Sequence, residues 1–367
     1  MLRSVVVTGI GVVTGGVVGG GESLRRFLAT AGPAPGGRVV DGVTLGALID
    51  GADARRTSRV SQLTLAATRL ALADARLDLA DAAGFVLGTE HGDLHSTIEF
   101  ADGYLRGGSA GLSPLLFPNT VMNTMASATT IAVGARGPSL TLNVRTVGGE
   151  LAVARAARTV ASGRLDVALA GGVDALDPLV DETLATLGGD SETRGEGATV
   201  LVLEARDHAR ARGATPCGEI LGAAWRGLAA RPNGVGRRVE SAAIGAALAE
   251  AGLSAGDIAW VYASASGDEP RDAWERSLLA RELGPRAMVA SLAPLLGQHA
   301  GLGALRVAAA AWTASSGLLA RPPWRPGGDD AGTTLVRVPP RPGLVHGLAR
   351  GGTHVALVIG GPPDGMP

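Results

Sequence analysis

The sequence contains no lysine, so all 33 of its basic residues are arginines. This absence excludes a P-loop lysine, a Schiff-base lysine and a lysine general base. A single cysteine, Cys217, excludes an intrachain disulfide framework, and a cytoplasmic protein is the simple interpretation. No run of 18 or more apolar residues occurs, so we expect no transmembrane helix and no membrane partner.

The charge pattern and the positions of the histidines argue against nucleic-acid-binding and metal-binding proteins. The net charge is −1 with both signs interspersed, which argues against a nucleic-acid surface. The six histidines have no cysteine nearby, so we predict no metal site. Apolar residues make up 46% of 367, which predicts a large core in one big domain or two tightly joined halves.

The N-terminal segment "MLRSVVVTGIGVVTGG" allows three interpretations. A β-branched run from Ser4 to Val7 favours a buried first strand over a signal peptide. "GIGVVTG" has some likeness to a dinucleotide-binding turn, but Thr14 stands where Gly or Ala is needed. We therefore expect a strand and no bound cofactor.

Apolar strands alternate with helical stretches along the chain, which predicts an α/β fold. The predicted helices include 59–75, 150–162 and 239–251. The predicted strands are "SVVVTGIGVV", "AGFVLGTE", "SLTLNV", "DVALAGG", "ATVLVLEA", "IAWVYASAS", "RAMVASL" and "HVALVIGG".

An internal repeat relates the two halves of the chain. "ALADARLDLADAAGFVLGTEHGD" starts at Ala71, and "ALAEAGLSAGDIAWVYASASGD" starts at Ala247. Each reads as a helix, a turn, a strand and a polar loop. We predict an N-terminal half, 1–212, and a C-terminal half, 213–367, within one compact unit.

Two such halves placed face to face would bring their strand-end loops together at one central site. Those loops lie near Thr89, Thr146, Ser264 and Gln298. The segment "TLNVRTVGGELA" predicts a strand, a sharp Gly-Gly turn and a helix, with Thr146 at the positive helix end. Enzymes place a nucleophilic Cys or Ser at such a turn.

The segment "GPSLTLNVRTVGGELAVARAARTVASGRLDVALAGG" resembles the nucleophile segment of β-ketoacyl-acyl-carrier-protein synthases. "FPNTVMNTMAS", "GEGATVLVLEARDHARARGA" and "GGTHVALV" resemble that family in the same order. The resemblance implies a thiolase-like duplicated fold, layered α-β-α-β-α, with two similar halves.

The catalytic positions of that family do not match. The resemblance places Thr146 at the catalytic Cys, Ser264 at the first His, Ala293 at the Lys and Gln298 at the second His. A one-residue shift of the alignment would put His299 at the second His, and this alternative stays open.

Thr146, Glu150 and Cys217 could each take part in chemistry or serve only a structural role, and we favour the structural role. The resemblance retains an Asp and a Glu at Asp272 and Glu275. We expect Thr146 to be a helix-capping or tunnel-lining hydroxyl and Glu150 to complement the helix dipole. Two further side chains, Cys217 as a buried thiol and His208 as a surface or packing residue, are expected to be structural.

Condensation needs an acyl thioester nucleophile and donors that stabilise an enolate. Threonine, serine, alanine and glutamine do not supply these near neutral pH. The pattern resembles the chain length factor, or ketosynthase-β subunit, of type II polyketide synthases. That resemblance implies a heterodimer with an active ketosynthase, an acyl carrier protein as second partner, and no catalysis by this chain. The alternative is an independent acyltransferase or hydrolase that uses Thr146.

The resemblance also implies residues that shape an acyl tunnel. His91 matches a tunnel gate, and Arg350 stands at the position of a gating Phe. Residues of the segment before "NTMAS" are expected to reach across a dimer interface, or simply to fill a core: Leu116, Phe117, Thr120, Met122 and Asn123.

Overall fold

The computed structural model describes residues 2–30, 37–79, 83–186, 192–230, 234–236, 241–321 and 334–363. The helices are α1 Gly21–Ala29, α2 Gly42–Leu48, α3 Gly51–Arg56, α4 Arg59–Ala75, α5 Leu94–Gly107, α6 Thr124–Val133, α7 Gly148–Ala161, α8 Pro178–Thr186, α9 Arg206–Ala211, α10 Ala242–Ala251, α11 Glu269–Leu283, α12 Ala293–Leu296 and α13 Gly301–Ser316. Short 3₁₀ turns span Gly108–Gly111, Phe117–Thr120 and Ala255–Asp257. The strands are β1 Val5–Thr14, β2 Val18–Gly19, β3 Gly84–Thr89, β4 Ser139–Asn143, β5 Val167–Asp174, β6 Gly197–Ala205, β7 Gly218–Gly227, β8 Trp260–Tyr262, β9 Met288–Ala290, β10 Leu318–Arg321, β11 Thr334–Arg337, β12 Gly343–Leu348 and β13 Thr353–Gly360.

The main sheet shows the duplication directly. Its strand order is β4-β3-β5-β6-β1-β7-β13-β12-β8-β9, with β2 paired to β1. In the first half, β3 is parallel to β4 and β5, while β6 is antiparallel to β5 and β1. In the second half, β8 is parallel to β9 and β12, while β13 is antiparallel to β12 and β7. The two halves meet at an antiparallel β1–β7 pair. The predicted division at 212/213 lies between α9 and β7 and stays a prediction.

Side-chain alternation along the strands separates three cores. In β5, Val167 and Leu169 face an outer core shared with α4, while Ala168 and Ala170 face a central core built around α7 and α13. A third core covers the other side of the second half and includes α10. The expected layering of α-β-α-β-α in two similar halves is therefore confirmed.

Several predicted elements agree closely with the structure. The helix expected at 59–75 is α4, and the helix expected at 150–162 is α7, Gly148–Ala161. The helix expected at 239–251 is α10, Ala242–Ala251, and the first two positions of that prediction lie outside the described residues. Five strands of the structure, β2, β7, β10, β11 and β12, are not among the predicted ones.

The predicted Gly-Gly turn is wrong in one respect. Gly148 and Gly149 already belong to α7, and the positive φ of 70° falls on Thr146 instead. The glycines are needed for close packing, because a Cβ on Gly149 would lie 2.0 Å from the Ala300 carbonyl oxygen. Here α7 meets the segment that leads into α13.

Gly149→Ala is therefore expected to lower the free energy of unfolding by at least about 2 kcal/mol, since backbone must move to admit the methyl group. The matched control is Gly245→Ala in α10, where a Cβ meets nothing within 4 Å. That change should be neutral or stabilise by about 0.5–1 kcal/mol, because alanine has the higher helix propensity. Urea unfolding of both variants measures the difference, and similar stabilities would contradict the packing role.

Candidate functional site: the turn at Thr146

The turn between β4 and α7 keeps the backbone shape of a nucleophile turn. Thr146 has φ 70°, in the left-handed region that a β-branched residue rarely adopts, and is 2% exposed. The N-cap of α7 is Val147, and no side chain caps the helix. The expectation that the Thr146 hydroxyl caps this helix is therefore wrong, because Thr146 precedes the N-cap residue by one position.

The backbone N–H of Thr146 has a carboxylate partner. It donates to Oε1 of Glu90 at 2.7 Å, immediately after β3. Burial, followed by the nearby charges of Asp174 and Glu192, raises the pKa of Glu90 to about 7, while Arg194 and His91 oppose this shift. An acidic side chain thus lies beside the turn at Thr146.

Gln298 joins the same cluster from the second half of the chain. Its Nε2 donates to the Thr146 carbonyl at 3.2 Å and lies 3.5 Å from Glu90 Oε1. Thr89 donates to Asp174 Oδ1 at 2.8 Å, and Asp174 also accepts the N–H of Glu90. The structure therefore brings together three of the four predicted central loops, those of Thr89, Thr146 and Gln298.

Ser264, at the fourth loop, bonds elsewhere. Its Oγ donates to Glu275 Oε1 at 2.9 Å, and His346 Nδ1 lies 2.6 Å from the same oxygen. Although burial works in the opposite direction, the contact with His346 holds the pKa of Glu275 below its ordinary value. The Ser264 side chain is thus engaged with Glu275, and its carbonyl accepts from Arg271 at 3.1 Å.

A chain of buried ions connects the two regions. Arg194 lies 3.5 Å from Glu90 Oε2 and 3.5 Å from Glu192, and Arg271 lies 2.7 Å from the other oxygen of Glu192. Asp272 lies 3.3 Å from Arg271. Sequence reasoning named Asp272 but missed Glu90, Glu192, Arg194 and Arg271, because nothing in their spacing shows that they meet.

Two further site residues predicted from the sequence, Ala293 and His299, are buried. Ala293 begins α12 and is 1% exposed. His299, also 1% exposed, packs against Gly197 and Gly301. Burial lowers the pKa of His299 to about 3, so the ring is neutral near pH 7.

The predicted tunnel residues lie in three places. His91 is part of the buried cluster, with Nε2 3.3 Å from Arg194, and burial lowers its pKa. The guanidinium of Arg350 binds both oxygens of Asp268 at 2.5 Å. The residues before α6 are half-buried or exposed at the surface of the chain: Leu116, Phe117, Thr120, Met122 and Asn123. Their role in a tunnel stays a prediction.

Three other side chains named from the sequence, Glu150, Cys217 and His208, make contacts within the fold. Glu150 does not face solvent at the helix end but forms an ion pair with Arg306, and both are fully buried. The Cys217 thiol donates to the Val7 carbonyl, and burial raises its pKa to about 12. His208, on α9, lies 2.7 Å from Glu204.

Two broader properties follow from the described residues. They contain no group of three or more His, Cys, Asp or Glu side chains placed to hold a metal ion. Among them, no helix is both long enough and apolar enough to cross a bilayer.

The fold defines a class: a thiolase-like protein, with Thr146 at the turn between β4 and α7. Residues 39–209 match the family model of the β-ketoacyl synthase N-terminal domain. The chain is 32% identical to a putative polyketide β-ketoacyl synthase 1 of Streptomyces halstedii, over 84% of this chain and 85% of that protein. The chain therefore belongs to the β-ketoacyl synthase family.

Solved structures agree in fold. The ishigamide ketosynthase/chain length factor superimposes with a TM-score of 0.83 at 23% identity, covering 99% of this chain and all of the other. A type II polyketide acyl-carrier protein in complex with its ketosynthase bound to the hexaketide gives a TM-score of 0.77 at 20% identity, covering 98% of this chain and 100% of that chain. Nodulation protein E of Rhizobium sp. (strain N33) is 32% identical over half of this chain, which spans about half of that protein.

Proposed function

We propose that this chain is a ketosynthase-like subunit without condensing activity, which pairs with an active ketosynthase and shapes its acyl tunnel in a type II polyketide synthase. The observation that carries the proposal is the set of groups at Thr146, Ser264, Ala293 and Gln298, none of which supplies a nucleophile or a base near pH 7. The thiolase-like fold around them is complete in both halves.

An exposed apolar face beside β4 supports the pairing. β4 ends the sheet, so its outer edge is open to another strand. Ile131 on α6 is 82% exposed, and Leu140 on β4 is 39% exposed. Other exposed apolar side chains in this part of the chain are Tyr104, Leu105, Leu115, Phe117, Val121 and Met122. Clustered apolar surface of this kind marks an interaction site.

Charge placed on this face should prevent pairing. Ile131→Glu combined with Leu140→Arg is expected to weaken binding to an active type II ketosynthase partner by at least about 100-fold, because two charges would lose hydration at the interface. The matched control, Val43→Glu on α2, changes a residue that is 85% exposed elsewhere and should bind normally. Sedimentation of mixed subunits measures both. Undiminished pairing by the double variant, or a homodimer that condenses alone, would contradict the proposal.

The chain-length role depends on steric limits in the tunnel. Leu116→Ala is expected to lengthen the dominant product of the reconstituted pair by one or more extension units. The smaller side chain leaves room for a longer acyl chain, and steric exclusion of one methylene is worth roughly 1–3 kcal/mol. Thr120→Val tests a change of polarity at nearly constant volume, and should leave length unchanged. Mass spectrometry of the products decides, and the same product from Leu116→Ala would favour a purely structural role.

A further inference from the structure

A cleft of about 810 Å³ lies between the N-termini of α4 and α5, the loop before α6 and the segment after β5. Its lining includes Leu94, Leu115, Leu116 and Leu176. This volume is within the range of pockets that hold small molecules. The leucines offer apolar surface for part of an acyl chain, while the rest of the lining is largely polar and includes Arg55, Arg56, Arg59, Asp93 and Asp177.

A second, much smaller cavity adjoins this cleft. Its volume is about 10 Å³, which is room for roughly one water molecule. Both spaces are lined by Leu94, Ala175, Leu176 and Asp177, so they share a wall. The other residues of the small cavity include Glu90, Arg194 and Gln298. Two of these, Glu90 and Gln298, contact Thr146, so the cleft and the turn are separated by this cluster.

Glu90 and Arg194 are held firmly in this position. Their side chains are 1% and 8% exposed and lie 3.5 Å apart. The Thr146 N–H fixes Glu90 from one side, and Glu192 holds Arg194 from the other. Buried ions with several partners are expensive to displace, because a lone charge would remain in the interior.

We propose that Glu90 and Arg194 form an ionic wall between the cleft and the turn at Thr146, which keeps acyl chains that enter the cleft away from that turn. This inference rests on the proposed function, because it assumes that acyl chains enter from the partner. It adds that this subunit excludes acyl groups from its own nucleophile position by filling the space.

The test uses a thiol as a reporter of access. Thr146→Cys is made in a Cys217→Ser background and treated with decyl methanethiosulfonate, whose ten-carbon chain imitates an acyl group. Glu90→Ala with Arg194→Ala should open the wall and speed modification of the introduced thiol at least tenfold. Glu90→Gln with Arg194→Met removes the same charges at similar volume and should stay as slow as the unaltered wall. Mass spectrometry gives the rates.

Equal rates with the wall intact and opened would overturn the proposal. Equal acceleration by the volume-matched variant would also overturn it, since charge rather than steric closure would then control access. If the double alanine variant does not fold, Arg194→Ala alone is expected to accelerate modification in the same direction, and no acceleration would count against the wall. The assay uses the isolated chain, so its outcome is independent of whether the partner ketosynthase is found.

Discussion

Glu150→Leu alone is expected to lower the free energy of unfolding by about 3–5 kcal/mol, because Arg306 would be left as an unpaired buried charge. The two side chains lie 2.5 Å apart and are both fully buried, between α7 and α13. Arg306 also donates to the Ala263 carbonyl at 2.8 Å, so Arg306→Met should be at least as costly. Glycines make room for the pair, since a Cβ on Gly303 would lie 1.9 Å from Glu150.

The double variant Glu150→Leu/Arg306→Met should recover most of the loss, because apolar side chains of similar size need no partner. Urea unfolding of the wild type, both single variants and the double variant completes the cycle and gives the coupling energy. Arg26→Met, which removes an exposed contact with Glu22, is the control and should have little effect. Purely additive losses would show that the ion pair does not couple α7 to α13.

The single variants should also differ in their response to pH. Burial raises the pKa of Glu150, an effect that Arg306 opposes. In Arg306→Met the carboxyl can take up a proton, so its penalty should be smaller at pH 5 than at pH 8. Arginine stays charged at both values, so the penalty of Glu150→Leu should not shrink in the same way.

Acid should destabilise the protein through two buried imidazoles. Burial lowers the pKa of His299 to about 3, and burial together with the charge of His346 lowers the pKa of His354 to about 3. Both values lie below the unfolded value of about 6.5. Stability from these groups is therefore fully present above pH 6.5 and is lost as pH falls toward 3. Each group contributes a slope of up to about 1.4 kcal/mol per pH unit.

His299→Asn should therefore reduce proton uptake on unfolding by about one proton between pH 4 and 6, and the double variant with His354→Asn by about two. Glu90 acts in the opposite sense, since its raised pKa makes stability fall as pH rises from about 4.5 to 7. Because Glu90 is present in the wild type and in the variants, its effect cancels when the pH dependence of their unfolding free energies is compared. Urea unfolding at several pH values measures the slopes, and parallel curves for wild type and variants would contradict neutral buried histidines. At pH 8 the slopes should coincide.

The sequence was most informative where local pattern and packing agree. In α4, the apolar spacing predicted both ends of the helix, because one face packs on β1 and the other elements of the outer core. The repeat of a helix and strand at an offset of 176 predicted the duplicated sheet, because α4 with β3 and α10 with β8 occupy equivalent places in the two halves. The short β12 was missed because its six residues, with two glycines and a histidine, carry little strand signal.

The order of the motifs also predicts that Thr146, Ala293 and Gln298 stand at positions where condensation needs other side chains. Only the tertiary structure decided which side chains surround the turn at Thr146. Glu90 and Arg194 are 104 residues apart, and Glu150 and Arg306 are 156 apart. Such ion pairs leave no local periodicity, since their partners meet only after two halves have folded against each other. The fold can thus be predicted from sequence and the loss of the nucleophile stays a prediction, while the buried charges around the turn depend on long-range packing.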